Sequence, residues 1–370
     1  MREMMRALGL MSGTSMDGID VAIIETDGER VARRGVSMTF DYSPEMRERL
    51  TIGVSQARVI TARRERPGHL ADIERELTEL HASVVSAFLR KQGLVREDID
   101  VIGFHGQTVL HRPESYLTVQ LGDGALLAEL TCRPVVYDLR ARDMELGGQG
   151  APLAPVYHRA MVADLAARPA VVVNIGGVGN VTWIGPRGDL IAFDTGPGNA
   201  LIDDWVLAKA GLACDKGGAL AAQGRVDEAA VAQFCTNPYL ALPAPKSLDR
   251  NAFSLDVVAE MSTEDGAATL TAITAETIAR SQTLMPEVPQ VWIISGGGRK
   301  NPSLMGMLRE RLPGEVLTAE LAGLDGDGVE AEAWAFMAVR SLKGLPITFP
   351  GTTGVSSPAS GGVLVNPPRA

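Results

Sequence analysis

Cysteine is scarce. Three residues of 370 are cysteine (Cys132, Cys214 and Cys235), far apart and without a C-x-x-C pair. Reduced thiols in a cytosolic protein are the expectation. Long apolar runs are missing as well. None reaches about 18 residues, so no membrane-spanning helix is expected. The opening MREMMRALGL enters a strand directly and lacks the apolar core of a secretory leader, so the predicted location is cytoplasmic. Positive charge is in deficit, 35 Lys and Arg against 45 Asp and Glu, for a net charge of −10. That balance argues against nucleic acid or an acidic membrane as the main partner and leaves room only for a local basic pocket. His105 and His111 are six apart, the wrong spacing for two ligands on one helix face, and have no Cys or His cluster beside them, so zinc is not expected. Asp325 and Asp327 lack the third ligand and the closing glutamate of a calcium loop.

Apolar residues make up 45% and charged residues 22%, the balance of an ordinary globular protein. A chain of 370 residues is too long for one core, so two domains are expected. The stretch Leu8–Glu25 reads as strand, polar glycine loop, strand. Its loop, Gly13, Thr14, Ser15, Met16, Asp17 and Gly18 leading into Ile19 and Asp20, gathers backbone N–H groups, hydroxyls and carboxylates at one point. Such N–H groups suit phosphate. Asp17 repels phosphate but suits the Mg²⁺ that accompanies a nucleotide. The Asp17-Gly18 pair is the expected turn. An ordinary solvated hairpin is the competing reading.

Further on, apolar positions recur at helical spacing from Pro67 to Lys91 and stop at Gly93. A strand at Ile99–Phe104 leads into His105-Gly106-Gln107-Thr108, the place where open α/β sheets put ligand groups. His105 is equally readable as a structural imidazole. Arg140 and Arg142, just past a strand, are candidate donors to a carboxylate or phosphate, or partners of Asp143 or Glu145. The second half opens as the first does. Ala170–Val173, the loop holding Gly176, Gly177 and Asn180, and Val181–Ile184 repeat the strand–loop–strand unit, which indicates an internal duplication with a second phosphate loop. It is not a dinucleotide fingerprint, because G-x-G-x-x-G is absent. Asp194 follows the strand Leu190–Phe193 and precedes a Gly-Pro-Gly loop and a helix from Ala200, with Asn199 as its expected N-cap. It is placed for chemistry or for capping the turn. Gly296, Gly297 and Gly298 lie between a strand and a helix, which lets a base or ribose approach the backbone. Pro238–Leu248 and the tail Thr348–Pro367 read as irregular. Together these units predict a phosphotransferase with ATP held between two domains.

Six stretches in one order carry a resemblance: GLMSGTSMDGID (Gly9–Asp20), HGQT (His105–Thr108), RARDMELGGQGAPL (Arg140–Leu153), NIGGVGN (Asn174–Asn180), AFDTGPGN (Ala192–Asn199) and SGGGRKNPSLM (Ser295–Met305). Over nearly its whole length the chain resembles the anhydro-N-acetylmuramic acid kinases. The resemblance implies an α/β, two-domain fold like that of actin, hexokinase and the heat-shock ATPases, with nucleotide in the interdomain cleft. The implied domains are 1–140 with about 345–370, and 141–344. It implies ATP and Mg²⁺ acting on 1,6-anhydro-N-acetylmuramic acid from peptidoglycan turnover, and a homodimer. By residue, it implies Gly13–Asp20 as the phosphate loop, Asp194 as the base for water, Arg142 as partner of the lactyl carboxylate, Thr108 and Glu330 in the sugar pocket, and Gly296–Gly298 at the adenosine. The family's loop often carries Leu where this chain has Met16. The rival expectations are a kinase of another anhydro sugar such as levoglucosan, and a non-catalytic ATP switch.

Overall fold

The computed structural model describes residues 3–248, 250 and 252–368. The first part of the chain forms β1 (Met5–Ser12), β2 (Gly18–Thr26), β3 (Val31–Asp41), α1 (Pro44–Ala57), α2 (Leu70–Gln92), β4 (Val101–Arg112), β5 (Leu117–Leu121), α3 (Gly124–Thr131), β6 (Val135–Tyr137), α4 (Ala141–Glu145) and α5 (Pro155–Met161). The middle forms β7 (Ala170–Ile175), β8 (Val178–Ile184), β9 (Leu190–Pro197), α6 (Ala200–Ala210), α7 (Glu228–Phe234), α8 (Thr263–Arg280), β10 (Val291–Ser295), α9 (Pro302–Arg311) and β11 (Glu315–Thr318). The end returns as α10 (Val329–Leu342), α11 (Pro350–Thr353) and β12 (Val363–Val365).

Two compact units result, Met1–Ala163 with Gly328–Ala370, and Asp164–Asp327. The expected borders at 140/141 and 344/345 differ from these, because α4 and α10 pack on strands of the first sheet. In the first unit the sheet order is β12-β6-β4-β1-β2-β3, with β5 paired to β4. In the second it is β11-β10-β7-β8-β9. Each sheet starts with an antiparallel meander, β1-β2-β3 or β7-β8-β9. Each continues with parallel strands, β4 and β6 or β10 and β11. The duplication read from the two glycine hairpins is therefore a duplication of sheet topology.

The apolar runs explain the elements. Leu8, Leu10, Ile19 and Val21 of the first hairpin are fully buried, as are Val171 and Val173 of the second. Burying each such side chain contributes about 1.5–3 kcal/mol. Of the expected helix stripe Leu70, Ile73, Leu77, Leu80, Val84, Phe88 and Leu89, all but the half-buried Leu80 lie on the buried face of α2, which ends at Gly93 with φ 65°. Helix α10 lies directly on the first sheet. A Cβ on Gly9 would sit 1.8 Å from the Ala331 carbonyl oxygen, and one on Gly103 would sit 2.1 Å from that of Trp334. Only glycine permits this approach of strand to helix.

Three expectations change. His105–Thr108 lies inside β4, and the kink comes from Gly106, at φ 70°. Likewise β9 runs through Asp194 to Pro197. The tail is integral: Thr353 Oγ1 donates to Asp143 at 2.7 Å, and β12 extends the sheet edge beside β6. No helix among the described residues is long and apolar enough to cross a membrane.

Candidate active site

The first loop is built by its strands and tied from three sides. Gln107 Nε2 donates to Gly13 O at 3.0 Å, and Tyr42 N and Arg47 Nη2 donate to Asp17 O at 2.9 and 3.2 Å. Beneath it, Ser12 Oγ pairs with Tyr42 OH, and the His81 ring lies 3.5 Å from the same oxygen. The left-handed residue of the turn is Met16, at φ 53°, and not the Asp17-Gly18 pair. Met16 N closes the turn onto Gly13 O at 3.1 Å. Gly18 is required for space, since a Cβ there would lie 2.5 Å from Phe40 O. The exposed Asp17 accepts from Ser15 Oγ at 2.8 Å, and Asp20 from Thr39 Oγ1 at 2.6 Å.

Helix α10 begins beside this loop. The Glu330 carboxyl is raised above its usual range, first by burial, then by repulsion from Asp20 and Asp17, with Arg140 opposing. Arg140 is itself half-buried. It donates to Gly150 O at 2.9 Å and to His105 Nε2 at 3.0 and 3.3 Å, and its guanidinium sits 5.2 Å from the Trp334 ring centre. A guanidinium only donates, so His105 Nε2 must accept and the imidazole is neutral, with its proton on Nδ1. Burial, with Arg140 second, holds this histidine well below its ordinary pKa.

Arg142 is exposed and bonds Glu145 at 3.1 Å, the salt bridge that was one of its two expected partners. It also lines a cavity of about 700 Å³ together with Arg63, Gln120 and Tyr137. Gln120 reaches from that wall to Thr108 Oγ1 at 3.2 Å. Arg142 and Thr108 are thus linked around one cavity through a residue that carried no sequence signal. The glycine stretch 147–150 is anchored, with Asp143 accepting from Gly150 N at 2.7 Å.

In the second unit, Asp194 pairs with Asn180 across β8 and β9 at a bulge beside Gly179. Bulges re-aim side chains at sheet edges and active sites. Leu248 N donates to Asp194 Oδ2 at 2.8 Å. The carboxyl is pushed up to about 6, chiefly by burial, with the Leu248 N–H and the charge of Lys246 opposing. The Gly176 and Gly177 carbonyls accept the amides that lead into α6: Asn199 N bonds Gly176 O at 2.7 Å, and Gly198 N and Ala200 N bond Gly177 O at 2.9 and 3.2 Å. Asn199 does not cap with its side chain; its Nδ2 donates to Ile175 O at 3.1 Å instead. In the third glycine loop, Gly296 has φ 72° and no room for a Cβ, which would lie 2.4 Å from Asn174 Oδ1. Gly298 packs on Ile175 in the same way. Only Gly297 has space above it, so two of the three glycines serve packing of the loop against β7.

A family model described as anhydro-N-acetylmuramic acid kinase matches residues 5–367. The chain belongs to the anhydro-N-acetylmuramic acid kinase family. An Agrobacterium fabrum protein of that name is 52% identical over 99% of this chain and 100% of its own length. One from Azorhizobium caulinodans is 54% identical over 98% of this chain and 100% of its own. Among solved structures, component A of the Acidaminococcus fermentans (R)-2-hydroxyglutaryl-CoA dehydratase aligns over 92% of this chain and 99% of that one, at 12% identity and a TM-score of 0.48. The six stretches that carry the resemblance lie in or beside the loops just described. Tyr239 and Lys246 lie outside those stretches, and Gln107 and Asp143, though inside them, carried no expected site role, because their work is done through contacts between segments distant in sequence.

Proposed function

We propose that this anhydro-N-acetylmuramic acid kinase uses ATP to open 1,6-anhydro-N-acetylmuramic acid and phosphorylate O6 in one event, in the cytoplasm, as a homodimer. The observation that carries the reading is Asp194: a single partly buried carboxylate on a bulged strand, oriented by one backbone N–H and raised to about 6. A base near operating pH is what water activation needs. Asp194 takes a proton from water as its oxygen bonds the anomeric carbon. The bond from that carbon to the bridge oxygen breaks, and the freed O6 bonds the γ-phosphorus as the bond to ADP breaks.

The other residues position and neutralise. Gly13–Asp20 offers donors to the phosphates, Gly176, Gly177 and Asn180 supply the second hairpin, and Gly297 gives the open surface for adenosine. Thr108, Arg142 and Glu330 hold the sugar, with the Arg142 guanidinium exchanging Glu145 for the lactyl carboxylate. The crowding of Asp17, Asp20 and Glu330, opposed only in part by Arg140, fits a divalent cation held by Asp17. Mg²⁺ needs just one or two carboxylates beside phosphates and water. When bound, it supplies charge neutralisation at the phosphates.

The test is turnover with Mg-ATP in ¹⁸O-labelled water, offering 1,6-anhydro-N-acetylmuramic acid or levoglucosan. The expected product is N-acetylmuramic acid 6-phosphate with one ¹⁸O at the anomeric position. Turnover of levoglucosan alone overturns the sugar assignment and the role given to Arg142. Turnover of neither overturns the kinase reading.

A further inference from the structure

The proline-rich stretch Pro238–Leu248 reads as irregular from its sequence. In the structure it wraps the catalytic strand. Tyr239 OH donates to Asp194 O at 3.0 Å, Asp194 N donates to Lys246 O at 3.0 Å, and Leu248 N donates to Asp194 Oδ2 at 2.8 Å. Both main-chain groups of Asp194 and one carboxylate oxygen are thereby held by a single segment of ten residues, 239–248.

Lys246 locks that segment. Its side chain is buried, and its Nζ donates to Tyr239 O at 2.9 Å and to Leu240 O at 3.0 Å. The ammonium also lies 4.5 Å from the Tyr239 ring centre and 5.6 Å from that of Phe193, the residue before the base. Burying an ammonium is costly unless something compensates for it. Two neutral carbonyls and two ring faces would satisfy its N–H groups, yet they do not explain why the residue is charged. Among the described residues, the one acidic group that acts on Lys246 is Asp194. Burial lowers Lys246 to about 8, so it remains largely cationic at neutral pH. Conversely, among the described residues Lys246 is the one cation that opposes the burial of Asp194.

We propose that Lys246 is a positioning residue for the base: its ammonium pins the segment 239–248 around Asp194 and keeps the carboxylate ionised and aimed for water activation. The inference rests on the assignment of Asp194 as the base.

The experiment compares wild type, Asp194→Asn, Lys246→Met, Lys246→Arg and Tyr239→Phe, reading kcat, sugar KM and the pH profile of kcat. Lys246→Met is expected to lower kcat at pH 7 by about tenfold or more. It should also move the acid limb toward neutral pH, so the deficit shrinks at higher pH, with KM little changed. Lys246→Arg restores the acid limb. A folded Lys246→Met protein with an unmoved acid limb overturns the proposal, whether kcat is normal or reduced equally at all pH values. Should Lys246→Met fail to fold, Tyr239→Phe decides. A few-fold loss of kcat with unchanged KM supports the clamp, and wild-type kcat overturns it. Active wild type beside inactive Asp194→Asn keeps the base assignment whatever Lys246 does. Should no sugar turn over, ¹³C NMR titration of the Asp194 carboxyl still decides: an upward shift in Lys246→Met supports the role, and no shift overturns it.

Discussion

Asp194 accepts a proton only when ionised, and its carboxyl titrates at about 6. Below that point the ionised fraction falls tenfold per pH unit, so kcat is expected to drop along the same slope, while above it the base is fully available. A pH profile of kcat measures this. Asp194→Asn should reduce kcat by roughly 10²–10⁴, the range for a lost general base, with ATP binding retained in a calorimetric titration. Arg142→Ser should raise the KM for the carboxylate-bearing sugar by about tenfold or more, as expected when a charge-assisted bond is lost. It should leave any levoglucosan turnover unaffected. At this scale, what was legible was what motifs encode: the carboxylates and glycines that chemistry demands at fixed spacing. The tautomer of His105, the anchoring of the loop by Gln107 and the burial of Lys246 depend on partners that sequence order does not announce.

At the scale of elements, the contact of α10 with β1 and β4 decides where Glu330 stands. Gly103→Ala would force a methyl against the Trp334 carbonyl, 2.1 Å away, so the helix must shift. Overpacking of this kind typically costs about 1–3 kcal/mol, occasionally more. We expect a lower Tm and, because the N-terminus of α10 moves, a lower kcat as well; thermal melts and kinetics on the same variant check both. The helical pattern of α10 and the strands β1 and β4 could be read from their residues. Their packing could not, since Gly9 and Gly103 carry no side chain to show which face meets the helix. The tail was misread for a related reason. Its glycines and prolines suggest irregular surface, but the hydrogen bond from Thr353 to Asp143 and the short β12 make it part of the first unit.

For the whole molecule, titratable groups divide unevenly. All the histidines lie in the first unit. His81, His111 and His158 are lowered to about 4, chiefly by burial, and burial holds His105 well below its ordinary range as well. Between roughly pH 6.5 and 4 the unfolded chain therefore binds more protons at these sites than the folded one, and their contribution to stability falls as pH falls. In the second unit, Asp194 and Asp203 are raised to about 6 by burial, so the folded form binds the extra protons and gains relative stability on acidification. Asp138 and Glu330 partly offset the histidine effect in the first unit. Differential scanning calorimetry at pH 7.5 and pH 5 should show the first unit's transition moving down and separating from the second's. The chain's return to the first unit was expected near residue 345; the first unit instead takes it back at Gly328, because α10 packs on the first sheet.

That return has a consequence for synthesis. The second unit is one continuous stretch, Asp164–Asp327, and is complete before α10 has been made. The first sheet waits for a helix encoded only after the whole of the second unit. Domains fold as units as they emerge, so the unit encoded second is complete first, and the sheet bearing the first phosphate loop lacks its covering helix until Val329–Leu342 follows.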